Sequence, residues 1–405
     1  MAVSSGLNEP GTLQQLRGSN QSGMRAYNER LVLSLVRRHG VLVKTEIAQM
    51  TGLSAQTISV IMRALEGEEL LKRGEPIRGK VGQPSVPLSI NGDGAFFIGL
   101  KVGRRSADLV LIDFLGCVRH ALHIGYAYPE PDAIIAFVRN ALAQMTSVLD
   151  EGLRDRVAGI GIAMPYQLWN WHEEIGAPRA VMDRWRRIDL RSEIAGMSSY
   201  PVYLQNDATA ACAAELIFGH HGARQDFIYF YIGTFIGGGI VLNGSLYAGR
   251  SGNAGALGSM PVPGRDGNSE QLIDQASLMV LEGMLIADGI DPSPLWRTPD
   301  DWSGFEVHVA RWLTVVARGL AHAIVASVSI IDFETVVLDG GMPSAVRERL
   351  VEETRRAVLA LDLQGLDVPA IEAGTVGPIA RALGAASLPL SDKYLIDQHT
   401  LMREA

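Results

Sequence analysis

The first 70 residues contain one segment without an apolar pattern, followed by three that predict helices. Residues 1–22 are rich in Gly, Ser, Asn and Gln and have no apolar period, so we interpret them as a flexible arm. Apolar residues are frequent from Asn28 to His39, which predicts a helix there, and Gly40 is placed to end it. A second short helix is predicted for Lys44 to Met50, and a third begins after Ser54 as its N-cap.

The third helix, Ala55 to Leu65, has two different faces. Its inward residues recur at i, i+3, i+4 and i+7, which predicts one buried face. They are Ile58, Ile61, Met62 and Leu65. The outward residues are mostly small and polar: Gln56, Thr57, Ser59, Val60 and Arg63.

Two short helices that are joined by a glycine-containing turn are typical of a helix-turn-helix. The outward face of the third helix suits the major groove of DNA, where glutamine pairs with adenine and serine or threonine with either base. We therefore predict a winged helix-turn-helix domain over 23–78. A three-helix bundle that only packs is the alternative. The predicted DNA-contacting residues are Lys44, Ser54, Gln56, Thr57, Ser59, Arg63, Arg78 and Lys80.

The stretch from Arg73 to Ser85 is punctuated by Gly and Pro and alternates weakly, which predicts a β-wing followed by a linker over 79–94. A basic residue held between glycines, such as Arg78 or Lys80, can enter a narrow minor groove. A plain interdomain linker is the alternative.

From residue 95 onward, strand and helix patterns alternate, which predicts α/β layers with any ligand site at the carboxyl ends of the strands. Strands are predicted for 96–102, 106–113, 120–126, 157–164, 201–205, 227–241 and 335–338. Helices are predicted for 131–149 and 320–331.

Composition narrows the class of protein. A chain of 405 residues with 47% hydrophobic and 20% charged residues is globular and long enough for two or three domains. The 23 uncharged residues of 227–249 reach the length of a membrane span, but six glycines and the Asn243-Gly244 turn signal predict a hairpin instead. Two cysteines and no secretion signal suit the cytoplasm, and we predict no membrane contact.

Charge divides the chain into two unequal parts. Residues 1–90 hold 11 Lys and Arg against 7 Asp and Glu, which gives a net charge of +4. The remaining 315 residues have a net charge of −12, so the whole chain has a net charge of −8. A basic segment on an acidic body suggests that only the first part has an anionic partner.

Three strand ends hold candidate chemistry. The loop from Gly233 to Gly239 allows close approach to a phosphate or a sugar. Asn206 and Asp207 join an amide and a carboxylate, which suits gripping neighbouring hydroxyls or deprotonating one. Gly340-Gly341 leaves room for a flat ring or for a tight turn.

In order along the chain, several stretches resemble the ROK family (repressor, open reading frame, kinase), in its NagC/XylR-type regulator branch. They are TEIAQMTGLSAQTISVIMRAL, GKVGQPS, FFIGLKVGRRSADLVLIDFLG, YLQNDATAACAAE, IGTFIGGGIVLNGSLYAGRSGNAGALGSMPV, VVLDGGMP and VGPIARALGAASLP. The resemblance runs from about residue 24 to residue 390. It implies an actin-like, sugar-kinase-type body over 95–405 of two ribonuclease-H-like lobes that meet near residue 206. It also implies a sugar in the cleft and a homodimer or homotetramer on a palindromic operator.

Departures from the family pattern argue against phosphoryl transfer. Lys101 stands where family kinases have a magnesium-binding aspartate, and Phe235 stands at the last position of a Gly-Thr-Gly loop. We therefore expect no enzyme activity, with Asp207 as a vestigial base and no cofactor. The vestigial phosphate loop comprises Gly233, Thr234, Gly237 and Gly238. The stretch matching the family's zinc loop, 258–271, has no Cys or His, so no metal is expected.

The sugar-contacting positions are also changed. The family's second-loop Glu aligns with Ala256, its His with Ser259 and its later Glu with Ile273, next to Asp274. The resemblance therefore implies a sugar site formed by Asn206, Asp207, Ser259 and Asp274, with the identity of the sugar open.

Together these features predict a DNA-binding regulator, most simply a repressor, of carbohydrate uptake or metabolism genes. Its affinity for the operator would change when a sugar enters the cleft between the lobes. One alternative is an active ATP-dependent sugar kinase with a regulatory DNA-binding arm. Another is a regulator that has lost ligand binding and responds to a protein partner.

Overall fold

The computed structural model describes residues 21–76, 85–170, 172–220, 224–264 and 266–396. The first part of the chain, here called the head, contains three helices and a small sheet. Its elements are α1 (Gln21–His39), β1 (Val41–Val43), α2 (Lys44–Thr51), α3 (Ala55–Gly67), β2 (Leu71–Arg73) and β3 (Pro87–Ile90). The three strands form an antiparallel sheet in the order β1-β3-β2.

The head departs from the sequence prediction at two places. Helix α1 begins at Gln21, so the last two residues of the predicted arm are helical. An ion pair between Arg25 and Glu29 supports this polar first half, which has no apolar period to reveal it. The predicted linker over 79–94 is wrong in part, because it contains the middle strand β3, which buries Leu88 and Ile90. Residues 77–84, including Arg78 and Lys80, and residues 1–20 lie outside the described residues.

The first lobe is built on a five-stranded sheet. The order of its strands is β6 (Val118–Gly125), β5 (Ser106–Asp113), β4 (Phe96–Val102), β7 (Val157–Ala163) and β8 (Val202–Gln205). Strands β4, β5 and β6 are antiparallel, and β7 and β8 continue the sheet in parallel with β4. Strands β4 and β5 have the bounds that the sequence predicts, 96–102 and 106–113. The elements are β4 (Phe96–Val102), β5 (Ser106–Asp113), β6 (Val118–Gly125), α4 (Pro131–Ser147), α5 (Glu151–Arg154), β7 (Val157–Ala163), α6 (Arg179–Met182), α7 (Leu190–Ala195) and β8 (Val202–Gln205).

The second lobe repeats this arrangement with five strands. Their order is β11 (Ser245–Leu246), β10 (Ile236–Leu242), β9 (Phe227–Ile232), β14 (Thr335–Gly340) and β15 (Ala370–Ala373). Strands β9, β10 and β11 are antiparallel, and β14 and β15 run parallel to β9. The elements are α8 (Asp207–Phe218), β9 (Phe227–Ile232), β10 (Ile236–Leu242), β11 (Ser245–Leu246), β12 (Pro261–Pro263), β13 (Ser269–Gln271), α9 (Leu278–Ala287), α10 (Pro294–Arg297), α11 (Glu306–Val328), β14 (Thr335–Gly340), α12 (Ser344–Leu359), β15 (Ala370–Ala373) and α13 (Ala380–Tyr394).

Two helices join the lobes. Helix α8 packs on β9 and β10 of the second sheet, α13 packs on β4 and β7 of the first, and the two helices pack against each other. The contact with the first sheet involves the backbone directly, since a Cβ on Gly161 of β7 would lie 1.7 Å from the Ala385 carbonyl oxygen. The lobes are therefore held together by a close-packed helix pair.

The uncharged stretch 227–249 forms β9, β10 and β11, and the predicted turn at Asn243-Gly244 has both residues at positive φ. The predicted helix over 320–331 belongs to the 23-residue helix α11. By length and composition α11 is the one helix among the described residues that could cross a membrane. Its fully buried residues, Trp312, Leu320 and Ile324 among them, pack in the second lobe, as in the core helix of a globular domain.

The head shares a hydrophobic core with the body. Val32, Val36 and Leu65 of the head belong to one cluster with Phe97 and Tyr394 of the first lobe and α13. Polar contacts extend the junction. Arg30 of α1 donates to the Leu395 carbonyl at 2.9 Å, and Arg37 donates to the Phe114 carbonyl at 2.5 Å.

Candidate functional site

A cleft of about 210 Å³ opens where the two lobes meet. The turn between β4 and β5, the turn between β9 and β10, and the start of α8 contribute to its wall. These are strand ends and a helix N-terminus, the places where the sheet order predicts a ligand site.

Asn206 and Asp207 sit at the first turn of α8 for a local reason. The Asn206 side-chain oxygen accepts from the backbone N–H groups of Ala208 and Thr209, which makes it the N-cap. Asp207 follows in the first turn, where the helix dipole favours a carboxylate. Both residues line the cleft.

The Asp207 carboxylate is paired with a residue from a distant part of the chain. Arg381 of α13 donates to it at 3.1 Å, and the two side chains are only 14% and 15% exposed. The Arg381 guanidinium also lies 4.9 Å from the centre of the Tyr231 ring. This pair links α8 and α13 at the cleft.

Most residues that the sequence assigns to the cleft line it, and two do not. The lining includes Asn206, Asp207, Thr234, Gly237, Gly238 and Ser259. Gly233 lies in the β9–β10 turn, where its carbonyl accepts from Leu278. The Asp274 carboxylate accepts a hydrogen bond from the Gln271 backbone N–H at 3.1 Å, because Asp274 caps a short 3₁₀ turn. Its neighbour Ile273 lines the cleft in its place.

The glycine run of β10 has a packing role. A Cβ on Gly237 would lie 2.8 Å from the Ala208 Cβ, so glycine lets β10 approach α8. The phosphate-loop interpretation of this run therefore has a structural alternative in the same residues.

Lys101 is buried at the end of β4. Its ammonium group lies 2.9 Å from the Asp108 carboxylate. Burial disfavours its charged form and lowers the Lys101 pKa to about 8. A cation at this position attracts anions and repels a metal ion.

Arg104 and Phe235 meet at the cleft from opposite lobes. The Arg104 guanidinium carbon lies 4.8 Å from the centre of the Phe235 ring, a cation–π contact. Burial lowers the pKa of Arg104 to about 10. The bulky side chain at position 235, expected from the sequence, thus has a partner that the sequence analysis did not single out.

No group of three or more His, Cys, Asp or Glu side chains in the described part of the chain is arranged to hold a metal ion. The stretch 258–271 offers carboxylates and amides but no thiolate or imidazole, and its Gln275 neighbour already pairs with Glu270 at 2.8 Å. The donor set does not fit a structural zinc site.

Sequence reasoning missed Arg104 and Arg381. Arg381 meets Asp207 across 174 positions of the chain, a separation that no local pattern reveals. One signal was present in each case. Arg104 is charged within a turn between two buried strands, and Arg381 is a lone cation among small apolar residues in ARALGAA.

The head presents a second polar surface on α3. Ile58, Ile61 and Leu65 are buried, whereas Gln56, Val60 and Arg63 are exposed. Ser54 is the N-cap and accepts from the Thr57 N–H at 3.1 Å, while Ser59 donates to the Ala55 carbonyl. Gly52, in the left-handed region at φ 68°, turns the chain between α2 and α3. Lys44 is the first residue of α2 and is half-buried.

These features define a mixed α/β protein with two repeated lobes, and the fold is similar to that of several solved structures. A crystal structure of a ROK family transcriptional regulator, a homologue of the E. coli MLC protein, superposes with a TM-score of 0.65 at 21% identity, over 94% of this chain and 98% of that one. A ROK family glucokinase from Streptomyces griseus gives a TM-score of 0.56 at 21% identity, over 73% of this chain and 99% of that one.

Residues 97–273 match the ROK family. The xylose repressor of Bacillus subtilis is 27% identical over 248 residues, which are 60% of this chain. That alignment spans 62% of the length of the relative.

Proposed function

We propose that this protein is a sugar-responsive DNA-binding repressor of carbohydrate uptake or metabolism genes, acting in the cytoplasm. The observation that carries the proposal is a polar cleft whose Asp207–Arg381 pair connects the two helices that reach toward the head. Support also comes from the similarity to a relative named xylose repressor.

The DNA-binding part of the proposal rests on α3. Its exposed Gln56 and Arg63 suit base edges and phosphates, and the basic N-terminal 90 residues favour an anionic partner. In a homodimer or homotetramer, paired α3 helices would read the two halves of a palindromic operator. Arg78 and Lys80 remain candidates for a minor-groove contact.

The ligand-binding part rests on neutral and charged hydrogen-bonding groups that line the same cleft. Asn206, Asp207 and Ser259 are the proposed sugar contacts, and Asp274 is set aside because its carboxylate serves a turn. Each hydroxyl hydrogen bond contributes about 1 kcal/mol net, with more for bonds to a charged group.

Coupling between the two sites is proposed to run along α8 and α13. Helix α8 extends from Asp207 at the cleft to Phe218, whose ring lies 5.2 Å from the Arg37 guanidinium of the head. Helix α13 extends from near Arg381 to the segment whose Leu395 carbonyl binds Arg30. At 1.5 Å per residue, these helices span about 18 and 22 Å. A sugar that separates Asp207 from Arg381 would thus shift both supports of the head.

An ATP-dependent sugar kinase with a regulatory DNA-binding arm is the second candidate, favoured by the fold shared with a glucokinase. Three side chains oppose it at the strand turns of the cleft. Lys101 replaces a metal ligand, and the Phe235 ring, in contact with Arg104, stands where the backbone would have to approach a nucleotide phosphate. We propose that the cleft binds its ligand without transferring a phosphoryl group.

Operator DNA selected from a random pool provides the test, with fluorescence anisotropy as the readout. We expect Gln56→Ala to weaken operator binding by about 1–3 kcal/mol, because one base contact is lost. The exposed glutamine Gln144 on α4 supplies the matched control, since Gln144→Ala should change nothing. Affinity should also fall steeply with salt.

The response to sugar is measured on the same DNA. A complete switch requires roughly 5.5 kcal/mol of differential ligand affinity between the two states. Asp207→Asn should abolish sugar-induced release while operator binding persists, and Asp274→Asn should retain the response. Release that is insensitive to Asp207→Asn, or sugar phosphate formed with ATP and magnesium, would contradict the proposal.

A further inference from the structure

The cleft contains one more positive charge than it can pair within the described residues. Its charged lining side chains are Arg104, Asp207 and Arg381. Asp207 is already bound to Arg381 at 3.1 Å, so this carboxylate and this cation neutralise each other. In the described part of the chain, no carboxylate forms an ion pair with Arg104.

The Arg104 guanidinium is also short of hydrogen-bond acceptors. The Nε atom of Arg104 is buried and has no hydrogen-bond partner among the described residues. The guanidinium group lies over the face of the Phe235 ring. The Nε atom of Arg381 is likewise buried and without a partner. Leaving such donors unsatisfied costs free energy, more so on a charged group.

Burial makes the surplus charge more consequential. Arg104 is held between the lobes, with a lowered pKa that follows from its removal from water. The Asp108 carboxylate is engaged by Lys101 at 2.9 Å and is not available as a counter-charge for Arg104. A partly buried cation on which Asp207 and Glu174 act only from beyond ion-pair distance is a binding site for an anion, because a guanidinium can donate two parallel hydrogen bonds to one.

We infer that the ligand of this cleft is a sugar that carries an anionic oxygen group, a phosphate ester or a carboxylate, and that Arg104 binds this group. The hydroxyl-bearing part would face Asn206, Asp207 and Ser259, which line the same cleft. This inference rests on the proposed function and adds the chemical class of the ligand. A structural role, in which Arg104 only closes the cleft against Phe235, is the competing explanation.

The test compares matched sets of ligands by isothermal titration calorimetry on the full chain. Each set contains a free aldose, its terminal phosphate ester and its terminal carboxylic acid, with inorganic phosphate and ATP–magnesium as separate samples. We expect a charged member to bind about tenfold or more tightly than its neutral parent, as for a charge-assisted bidentate contact. Comparison of the ester and the acid identifies which anion the cleft prefers.

Variants assign the effect to one side chain. Arg104→Gln should bring the ratio of affinities for the charged member and the neutral parent close to one, whatever its effect on the affinity of the parent itself, and Arg104→Lys should retain part of the preference. Arg139→Gln, at an exposed arginine on α4, is the control for loss of one positive charge. Thermal unfolding and operator binding of Arg104→Gln establish that the variant is folded.

Equal binding of neutral and charged sugars, equal losses in Arg104→Gln, or no binding of any anion including inorganic phosphate would overturn the inference. If a neutral sugar still releases the operator, the proposed function stands without it. If instead ATP–magnesium is the tightest ligand, or the selected DNA does not bind, the proposed function itself fails.

Discussion

The sheets of the two lobes have the same strand arrangement, and the turn after the first strand of each differs in its chemistry. Each sheet has three antiparallel strands and two parallel ones, and each first hairpin turns through three residues. In the first lobe these are Gly103-Arg104-Arg105, and in the second Gly233-Thr234-Phe235. Arg104 and Phe235 then stack on each other across the cleft. The chemistry of the cleft therefore lies in its turns, on a framework that the two lobes share.

The positions just before these turns show the same physical effect with opposite sign. Lys101 and Tyr231 each precede the turn glycine by two residues, and both side chains are buried. Burial disfavours the charged form of each group, so it lowers the pKa of Lys101 to about 8 and raises that of Tyr231 to about 12. Burial thus favours the neutral form of both side chains, a lysine in the first lobe and a tyrosine in the second.

The largest expected effect comes from breaking the contact between the helices of the two lobes. A Cβ on Gly384 of α13 would lie 1.8 Å from the Ala210 carbonyl oxygen of α8. Gly384→Ala should therefore lower the free energy of unfolding by about 3 kcal/mol, because the helices must move apart. Urea denaturation measures this change.

Gly283 provides the matched control on α9, since nothing lies within 4 Å of its Cβ position. Gly283→Ala should stabilise by about 0.5–1 kcal/mol through helix propensity alone. If both variants behaved alike, the close packing of α8 on α13 would not hold the lobes together.

A smaller effect is the pH dependence of the free energy of unfolding, to which Lys101 and Tyr231 contribute with opposite signs. The unfolded chain holds the Lys101 proton up to pH 10.5 and the folded chain only to about pH 8. Since the unfolded state binds more protons between these values, stability rises with pH in this window, by at most about 1.4 kcal/mol for each pH unit. Above pH 10 Tyr231 reverses the trend, because the folded state then holds its proton longer.

Urea unfolding of wild-type protein and Lys101→Met from pH 7.5 to pH 10 checks this sign. The variant should show a flatter profile over that range, whatever its absolute stability. Tyr231→Phe should instead keep the rise and soften the decline above pH 10. A wild-type profile without any rise would refute a buried charged Lys101.

The smallest effect concerns the stack between the turns. A double-mutant cycle with Arg104→Gln and Phe235→Ala should give a coupling of about 0.5–2 kcal/mol in the free energy of unfolding, the range of a partly desolvated cation–π contact. Arg186 over Trp169, at 5.2 Å within the first lobe, supplies a second pair for comparison. Additive effects at Arg104 and Phe235 would mean that the two turns do not interact.

Local patterns predicted the strands of both lobes well, because alternation and glycine turns mark strand ends. Asn206 and Asp207 could also be found, since they follow a strand and open a helix. Arg381 could not, because its partner Asp207 lies in another part of the chain and the contact depends on how α13 packs. Asp274 was misplaced by one position, since a short 3₁₀ turn directs Ile273 rather than its neighbour into the cleft.

At the junction of head and body, two arginine side chains of the head bind main-chain carbonyl groups of the body. Arg30 and Arg37 donate, whereas the carbonyl groups of Phe114, Ser391 and Leu395 accept. Every residue type supplies a carbonyl, but only arginine supplies this forked donor. Substitutions should therefore be tolerated at positions 391 and 395 more readily than at Arg30 or Arg37, because loss of either arginine leaves the carbonyl groups in place without their donor.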